Sequence, residues 1–224
     1  MIDVWTWLTS GANWVGTDGI WHRLVQHLEY SGSSLAIAAV IAIPLGLWIG
    51  HTGRGRVVAV SLANGIRSIP SLGLLFIVLL ILAPHIHSGD AFLIPSIVVL
   101  VVLAIPPILA GAYAGVEQVD PAARDAGRGM GLTAWQVLWR IEVPCALPLM
   151  FGGIRSAALQ VVATATIAAT VSVGGLGRFL IDGLAYRDYS MMAGGSLLVG
   201  LLAIAVDAVL AGVQRLVVSP GLSA

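Results

Sequence analysis

The pattern of apolar and polar positions divides the chain into five long apolar stretches joined by short polar segments. The stretches cover approximately residues 28–50, 57–82, 91–116, 146–172 and 191–216. A helix needs about 20 apolar residues to cross the hydrocarbon core of a bilayer, so each stretch predicts one membrane-spanning helix. The pattern therefore predicts an all-α integral membrane protein whose transmembrane domain occupies residues 28–217.

Two of the predicted spans contain interruptions. The second includes Arg67-Ser68-Ile69-Pro70, and because proline has no backbone N–H to donate, we expect a break near Ile69. The third contains several prolines, which a membrane helix tolerates when neighbouring helices satisfy the freed carbonyls. Interrupted helices often mark bends or moving parts, so we expect a gate or translocation path here. The candidate residues are Arg67, Ser68, Pro70, Pro106 and Pro107.

Three ionisable residues lie in or near the predicted spans: Arg67, Arg155 and Asp207. Charged groups are costly in lipid and are therefore functional candidates. The alternative is that each lies within a turn or two of the cytoplasmic interface, where it reaches water or forms a pair.

Both ends of the chain fall outside the predicted spans. Residues 1–27 contain four tryptophans, a residue that concentrates at the membrane–water interface. We therefore expect this segment to lie on the bilayer surface, with a short additional span as the alternative. Residues 218–224 are predicted to form a C-terminal tail.

Composition narrows the classes of function. Hydrophobic residues make up 58% of the sequence, charged residues make up 10%, and all 11 positive charges are arginine. A phosphate-binding P-loop needs a lysine, so ATP, if used, must be hydrolysed on another chain. We expect no catalytic residue, no cofactor in this chain and, with zero net charge, no nucleic-acid partner. His85 and His87 share a turn, but a metal site needs at least a third ligand, so no metal is expected.

The distribution of arginine predicts the orientation. Six arginines lie on the side of the 51–56 turn, the 120–144 segment and the C-terminus, against three on the other side. Positive residues are enriched in cytoplasmic loops. We therefore expect the N-terminus outside and the C-terminus in the cytoplasm, as five spans require.

The polar segment 120–144 is predicted to fold as a hairpin of two short cytoplasmic helices. Asp120-Pro121 is typical of a helix start, with an N-cap acceptor followed by proline at the first helical position. The glycines of Gly129-Met130-Gly131 predict a corner. Thr133 and Gln136 have the spacing of a capping box that opens the second helix.

The spacing within this hairpin resembles the EAA loop of binding-protein-dependent ABC importer permeases. That family's pattern is Glu-Ala-Ala, three residues, Gly, nine residues, Ile, one residue and Leu-Pro. This chain has, at the same spacing, Asp125-Ala126-Gly127, Gly131, Ile141 and Val143-Pro144. It departs from the pattern with Asp for Glu, Gly for the second Ala and Val for Leu. Further landmarks are Arg67–Pro70, Gly152–Arg155 and Gly174–Gly177. Their combination is most similar to permeases for glycine betaine, choline, carnitine or related osmoprotectants.

The resemblance implies a fold, a role and a set of partners. The fold would be the five-helix core of the MetI-like permease type, with the hairpin as a cytoplasmic coupling helix that docks an ATPase. The docking residues would be Arg124, Asp125, Ala126, Gly127 and Gly131. The chain would be a non-catalytic inner-membrane subunit that imports a compatible solute. Its partners would be two ATPase subunits carrying ATP and Mg²⁺, a second permease chain, an extracytoplasmic solute-binding protein, a small osmolyte and the lipid bilayer.

Three alternatives remain open from the residues. The first is an ABC permease for amino acids, methionine or sulfonates. The second is a self-sufficient secondary transporter or channel, which the absence of a chain of acids through the spans disfavours. The third is a membrane enzyme, for which the spans contain no paired nucleophile and base.

Overall fold

The structure, a computed structural model, describes residues 3–87, 89–171 and 173–219, and its regular elements in that part of the chain are all helices. Ser172, at the end of the predicted fourth span, and residues 220–224 of the predicted tail lie outside the described residues. The α-helices are α1 Val4–Thr9, α2 Ile20–Thr52, α3 Arg56–Ser68, α4 Ser71–Leu82, α5 Leu93–Glu117, α6 Pro121–Gly129, α7 Ala134–Val137, α8 Val143–Ala165, α9 Gly177–Tyr186 and α10 Tyr189–Val217. A π-helical segment covers Leu138–Glu142, and 3₁₀ turns cover Gly11–Asn13, Ala83–His85 and Thr166–Val171.

Within the described residues, four helical segments are long and apolar enough to cross a membrane: Ile20–Thr52, Leu93–Glu117, Ala134–Val171 and Tyr189–Val217. The predicted break in the second span is present, because α3 ends at Ser68, α4 begins at Ser71, and the two are bent by 96°. With 13 and 12 residues, they measure about 20 and 18 Å at 1.5 Å per residue, so neither alone crosses a core of about 30 Å.

The packing of α2 on α5 shows that the bent pair returns the chain across the bundle. A Cβ placed on Gly46 would lie 2.5 Å from Ala112 Cβ, and one on Gly50 would lie 2.7 Å from Val116 Cβ. Residue numbers rise together along the contact, so α2 and α5 run in parallel. The chain between them must therefore pass back from one end of the bundle to the other through α3 and α4.

The centre of the bundle is a close antiparallel contact between α5 and α8. Gly111 faces Gly153, and Gly115 faces Ala146. A Cβ placed on Gly111 would lie 2.9 Å from Gly153 Cα, and one on Gly115 would lie 2.9 Å from the Ala146 carbonyl oxygen. Small residues allow membrane helices to approach in this way. The surrounding core is mainly aliphatic and includes Ala104, Ile108, Ala157 and Val161.

Helix directions divide the loops between two ends of the bundle. α8 and α10 are antiparallel, because Arg155 contacts Asp207 and Gln214, while Val162 lies in a cluster with Leu198 and Leu202. One end therefore carries the turn after α2, the polar hairpin and the end of α10. The other end carries the N-terminal segment, the turn before α5 and the loop before α9. This is the same division that the arginine count assigns to the two sides.

The first long helix begins earlier than the apolar pattern predicts. It starts at Ile20 rather than near residue 28, so the last part of the predicted interfacial segment is helical. The physical reason lies in Gln26 and His27, whose polar side chains are used inside the protein: Gln26 Oε1 accepts from Gly175 N at 3.1 Å, and His27 is fully buried. The preceding segment packs on the protein through Trp7, which meets Phe179 edge-to-face at 5.2 Å.

Thiol labelling can test which end faces the cytoplasm. In a Cys145→Ser background we expect an impermeant thiol reagent added to whole cells to modify Gly89→Cys and to leave Gly129→Cys unmodified. Both glycines are exposed and have open space at the Cβ position, so neither substitution disturbs packing. Permeabilised cells provide the control, since both positions should then react. Labelling of position 129 alone in whole cells would reverse the orientation.

Candidate functional site

The polar hairpin has the capped helices that the sequence predicts. Asp120 Oδ1 accepts from Ala122 N at 2.8 Å, and Pro121 is the first residue of α6. Thr133 and Gln136 form a capping box with N···O distances of 2.9 and 3.3 Å. The second helix differs from expectation, since only four residues are α-helical before the chain continues as the π segment. π segments are frequent at functional sites.

Gly127 lies inside the hairpin and holds its two arms together. It is buried, and a Cβ at this position would lie 2.4 Å from Ile141 Cδ1. Leu132 and Val137 line the same contact. Glycine, which replaces the second alanine of the EAA pattern, therefore permits α6 to lie directly against the π segment.

The other predicted docking residues differ in their exposure. Asp125 and Ala126 are exposed on α6, and Gly131 is exposed at the corner with φ +85° and open space around it. Arg124 instead turns inward, with 20% of its side chain exposed. The structure therefore leaves Asp125, Ala126 and Gly131 available to a partner, whereas Arg124 and Gly127 organise the hairpin itself.

A buried carboxylate joins the base of the hairpin to the spans. Glu142, in the π segment, has 1% of its side chain exposed. Its Oε2 lies 2.6 Å from His51 Nδ1 at the end of α2, and its Oε1 lies 3.0 Å from Arg124 Nε in α6. The Arg124 Nε–H is not directed at that oxygen, so this contact is an ion pair rather than an aligned hydrogen bond. Arg124 also donates to the carbonyl of Val116 in α5.

A second ion pair lies beside the first. Arg56, at the start of α3, donates to Glu117 at the end of α5. A cavity of about 260 Å³ separates the two pairs, and its lining includes His51, Arg56, Tyr113, Glu117 and Arg124. The hairpin is thus tied by charge to α2 and α5 at one end of the bundle.

Sequence reasoning missed this network. From the sequence alone, the 51–56 turn contributes only to the arginine count, and Glu142 has no predicted contact. A signal was present: Glu142 is an acid placed immediately before an apolar span, where it needs a positive partner.

Part of the outer surface of the hairpin is apolar. Met130, Trp135 and Trp139 are 74%, 67% and 48% exposed, and the two indoles meet edge-to-face with centroids 5.6 Å apart. Exposed apolar surface of this size is typical of contact with another protein or with lipid headgroups.

The candidate gate residues separate into two groups. Arg67 and Pro106 line one crevice of about 70 Å³ between α3 and α5. Ser68 and Pro70 form the bend itself, where Ser68 Oγ donates to Gly65 O at 2.7 Å. Pro107 is buried on the opposite side of α5, and its carbonyl faces Gly153 of α8. The structure therefore brings Arg67 and Pro106 together, leaves Ser68 and Pro70 at the bend and assigns Pro107 to helix packing.

The remaining charged and polar candidate residues form contacts with other parts of the protein. Arg155 and Asp207 form a bidentate pair with both N···O distances at 2.8 Å. For these two residues the structure thus agrees with the alternative that a charged residue in the spans forms a pair. The loop from Gly174 to Gly177 is held by α2, where His27 Nδ1 accepts from Leu176 N at 3.3 Å. Among the described residues, no group of three or more His, Cys, Asp or Glu side chains could hold a metal ion.

Comparison with known proteins identifies relatives of the chain. The family described as binding-protein-dependent transport system inner membrane component matches residues 42–219. The glycine betaine/carnitine/choline transport system permease protein OpuCB of Bacillus subtilis is 31% identical over 90% of this chain and 89% of its own. The osmoprotectant import permease protein OsmW of Salmonella typhimurium is 33% identical over 88% of this chain and 91% of its own.

Solved structures share the fold. A chain of the MetNI methionine ABC transporter, in an inward-facing conformation, has a TM-score of 0.77 and 23% identity, covering 98% of this chain and 100% of its own. A chain of an amino acid ABC transporter crystallised with histidines has a TM-score of 0.64 and 16% identity, covering 88% and 91%. The predicted all-α fold of the MetI-like permease type is confirmed. The chain belongs to the family of inner membrane components of binding-protein-dependent transport systems.

Proposed function

We propose that this chain is the permease subunit of an ATP-driven importer for a compatible solute such as glycine betaine, choline or carnitine. The observation that carries the proposal is the hairpin: Asp125, Ala126 and Gly131 are exposed on it, and its base is tied to the spans through the buried Glu142 carboxylate. The relatives named for glycine betaine, carnitine, choline and osmoprotectants supply the substrate class.

The hairpin acts as a lever between an ATPase and the spans. The chain has no lysine for a P-loop, so ATP and Mg²⁺ are bound by separate ATPase subunits. Movement of a docked ATPase pulls Asp125, Ala126 and Gly131. The contact of Glu142 with His51 passes the displacement to α2, and the hydrogen bond from Arg124 to the Val116 carbonyl passes it to α5. In this scheme the hairpin lies in the cytoplasm and the N-terminal segment lies outside.

The solute passes along the bent helix pair. α3 exposes Ser61, Asn64, Arg67 and Ser68, which are polar residues at membrane level. Such a face is unsuited to lipid and suits a water-filled path shared with a second permease chain. The bend at Ser68–Pro70 then serves as the gate, and an extracytoplasmic binding protein delivers the solute.

Uptake measurements test this function. Cells that lack their own osmolyte importers would receive the chain with its ATPase, binding protein and second permease. Uptake of radiolabelled glycine betaine, choline or carnitine, inhibited by an excess of the same unlabelled solute, is the expected result. Uptake of methionine or a sulfonate with none of these three would instead support the alternative permease class.

Docking at the hairpin corner can be tested with Gly131. We expect Gly131→Trp to abolish co-purification of the ATPase and solute uptake, while the protein still inserts into the membrane, because the new side chain points into open space. Gly131→Ala is the matched control, since it carries the same positive-φ strain of about 1 kcal/mol but adds a single methyl group. Equal loss in both variants would assign the effect to strain. Normal ATPase binding by Gly131→Trp would refute docking at this corner.

A further inference from the structure

Arg67 lies at mid-depth in the bundle. α3 and α5 are antiparallel, with Arg56 paired to Glu117 at one end and Arg67 beside Pro106 further along. Pro106 is 11 residues from Glu117, which corresponds to about 16 Å along the helix, or roughly half of a hydrocarbon core of about 30 Å. Arg67 therefore does not lie within a turn or two of the cytoplasmic interface, which was the alternative that the sequence left open.

The guanidinium of Arg67 has no acidic neighbour. The residue is exposed, and none of the carboxylates in the described part of the chain lies within ion-pair distance of it. Arg155, the other arginine within the spans, is by contrast paired with Asp207. An unpaired arginine at the bilayer centre is costly in contact with lipid. Arg67 must therefore face water or a polar partner.

Other polar groups surround this charge. Asn64 lies one turn earlier on α3, and Tyr113 of α5 lines the same crevice. The crevice of about 70 Å³ contains no acidic side chain; the rest of its lining consists of Ala59, Val60, Ala63, Pro106, Leu109 and Ala110. Its chemistry is that of an anion site, with a planar cation and additional hydrogen-bond donors and no fixed negative charge.

We propose that Arg67 is a selectivity residue that binds the carboxylate of a zwitterionic solute as it passes the bend between α3 and α4. This proposal rests on the proposed function and narrows its substrate class. The guanidinium fork matches a carboxylate and forms charge-assisted hydrogen bonds with it, while Asn64 offers an amide N–H. A purely cationic solute gains nothing here and is repelled. The path therefore favours glycine betaine or carnitine over choline, which shares the trimethylammonium group but lacks the carboxylate.

The first experiment compares the maximal uptake rates of glycine betaine and choline by the complete importer. We expect Arg67→Gln to lower the glycine betaine rate at least about fivefold through loss of charge-assisted hydrogen bonds. Its choline rate should stay within about twofold or rise. Arg67→Lys, which keeps the charge, should preserve most of the ratio between the two rates. Arg54→Gln, which removes an exposed arginine from the turn after α2, is the matched control and should change neither rate.

Two outcomes of the uptake experiment would overturn the proposal. An equal loss of both rates in Arg67→Gln would assign Arg67 to the movement of the helix, and unchanged rates for both solutes would remove it from the path. Uptake of neither solute by the wild type would refute the proposed function instead. In that case the second experiment decides the proposal.

The second experiment measures the electrostatics of the path without a transported solute. Ser68→Cys, in a Cys145→Ser background, would be modified with an anionic and a cationic methanethiosulfonate reagent of similar size. We expect faster reaction with the anionic reagent, and we expect Arg67→Gln to lower the ratio of anionic to cationic rates several-fold. A thiol that does not react with either reagent, or a ratio that does not depend on Arg67, would show that no anion-attracting path exists at this position.

Discussion

Glu142→Ala is expected to lower the thermal stability of the protein markedly and to abolish solute uptake. The substitution leaves His51 and Arg124 facing each other across the base of the hairpin without the carboxylate that holds both. Removing one partner of a buried ion pair costs about 3–5 kcal/mol. We expect the lower part of that range, because His51 and Arg124 keep 18% and 20% of their side chains exposed and border a cavity of about 260 Å³. A loss of about 3 kcal/mol corresponds to roughly 6–12 °C in melting temperature for a chain of this size.

Two further variants separate the fold from the docking surface. Glu142→Gln keeps the shape and one acceptor oxygen but loses the charge, so its melting temperature should fall between those of wild type and Glu142→Ala. Asp125→Ala removes an exposed hairpin carboxylate whose contact with Arg128 is long, at 3.4 Å, and should cost less than about 1 kcal/mol. Its effect should appear in ATPase co-purification rather than in melting temperature. A Glu142→Ala protein as stable and as active as wild type would show that the buried carboxylate does not hold the hairpin.

The long apolar runs predicted the spanning helices because lipid imposes a simple requirement on length and polarity. The hairpin could be predicted equally well from the sequence, because Asp120, Pro121 and Thr133 begin its helices through interactions with residues only a few positions away. The interrupted second span was predicted from Pro70 alone. Its 96° angle was not, because a proline indicates a break in the helix but not the direction in which the chain continues.

The contacts that were missed are distant in sequence. His51 and Glu142 are 91 residues apart, and nothing in either local pattern indicates that they meet. The polar side chain of His27 led to a predicted start of the first span that is too late. In the structure, contacts with Val162 and Leu176 bury His27 within α2. The role of Gly127 also depended on the fold, since only the structure shows that Ile141 occupies the space of its side chain.

Adjacent glycines on α8 provide the sharpest test of the packing. A Cβ on Gly153 would lie 2.6 Å from the carbonyl oxygen of Pro107 and 3.0 Å from Gly111 Cα, whereas one on Gly152 would meet nothing within 4 Å. The obstacles at Gly153 are backbone atoms of α5, which cannot move aside as a flexible side chain can. A substitution at Gly152 therefore changes only the helix propensity, whereas the same substitution at Gly153 also disturbs the contact with α5.

We expect Gly153→Leu to destabilise the protein by about 3 kcal/mol or more, the upper range for overpacking, because α5 and α8 must separate along their whole contact. Gly152→Leu should be neutral or stabilising by up to about 0.8 kcal/mol, since leucine favours the helix more than glycine does. Melting temperatures of the two purified variants, measured in the same detergent, give the comparison. Poor accumulation of Gly153→Leu alone agrees with the same reasoning, because the α5–α8 contact is the centre of the bundle. Equal stability of the two variants would show that these helices do not approach through Gly111 and Gly153.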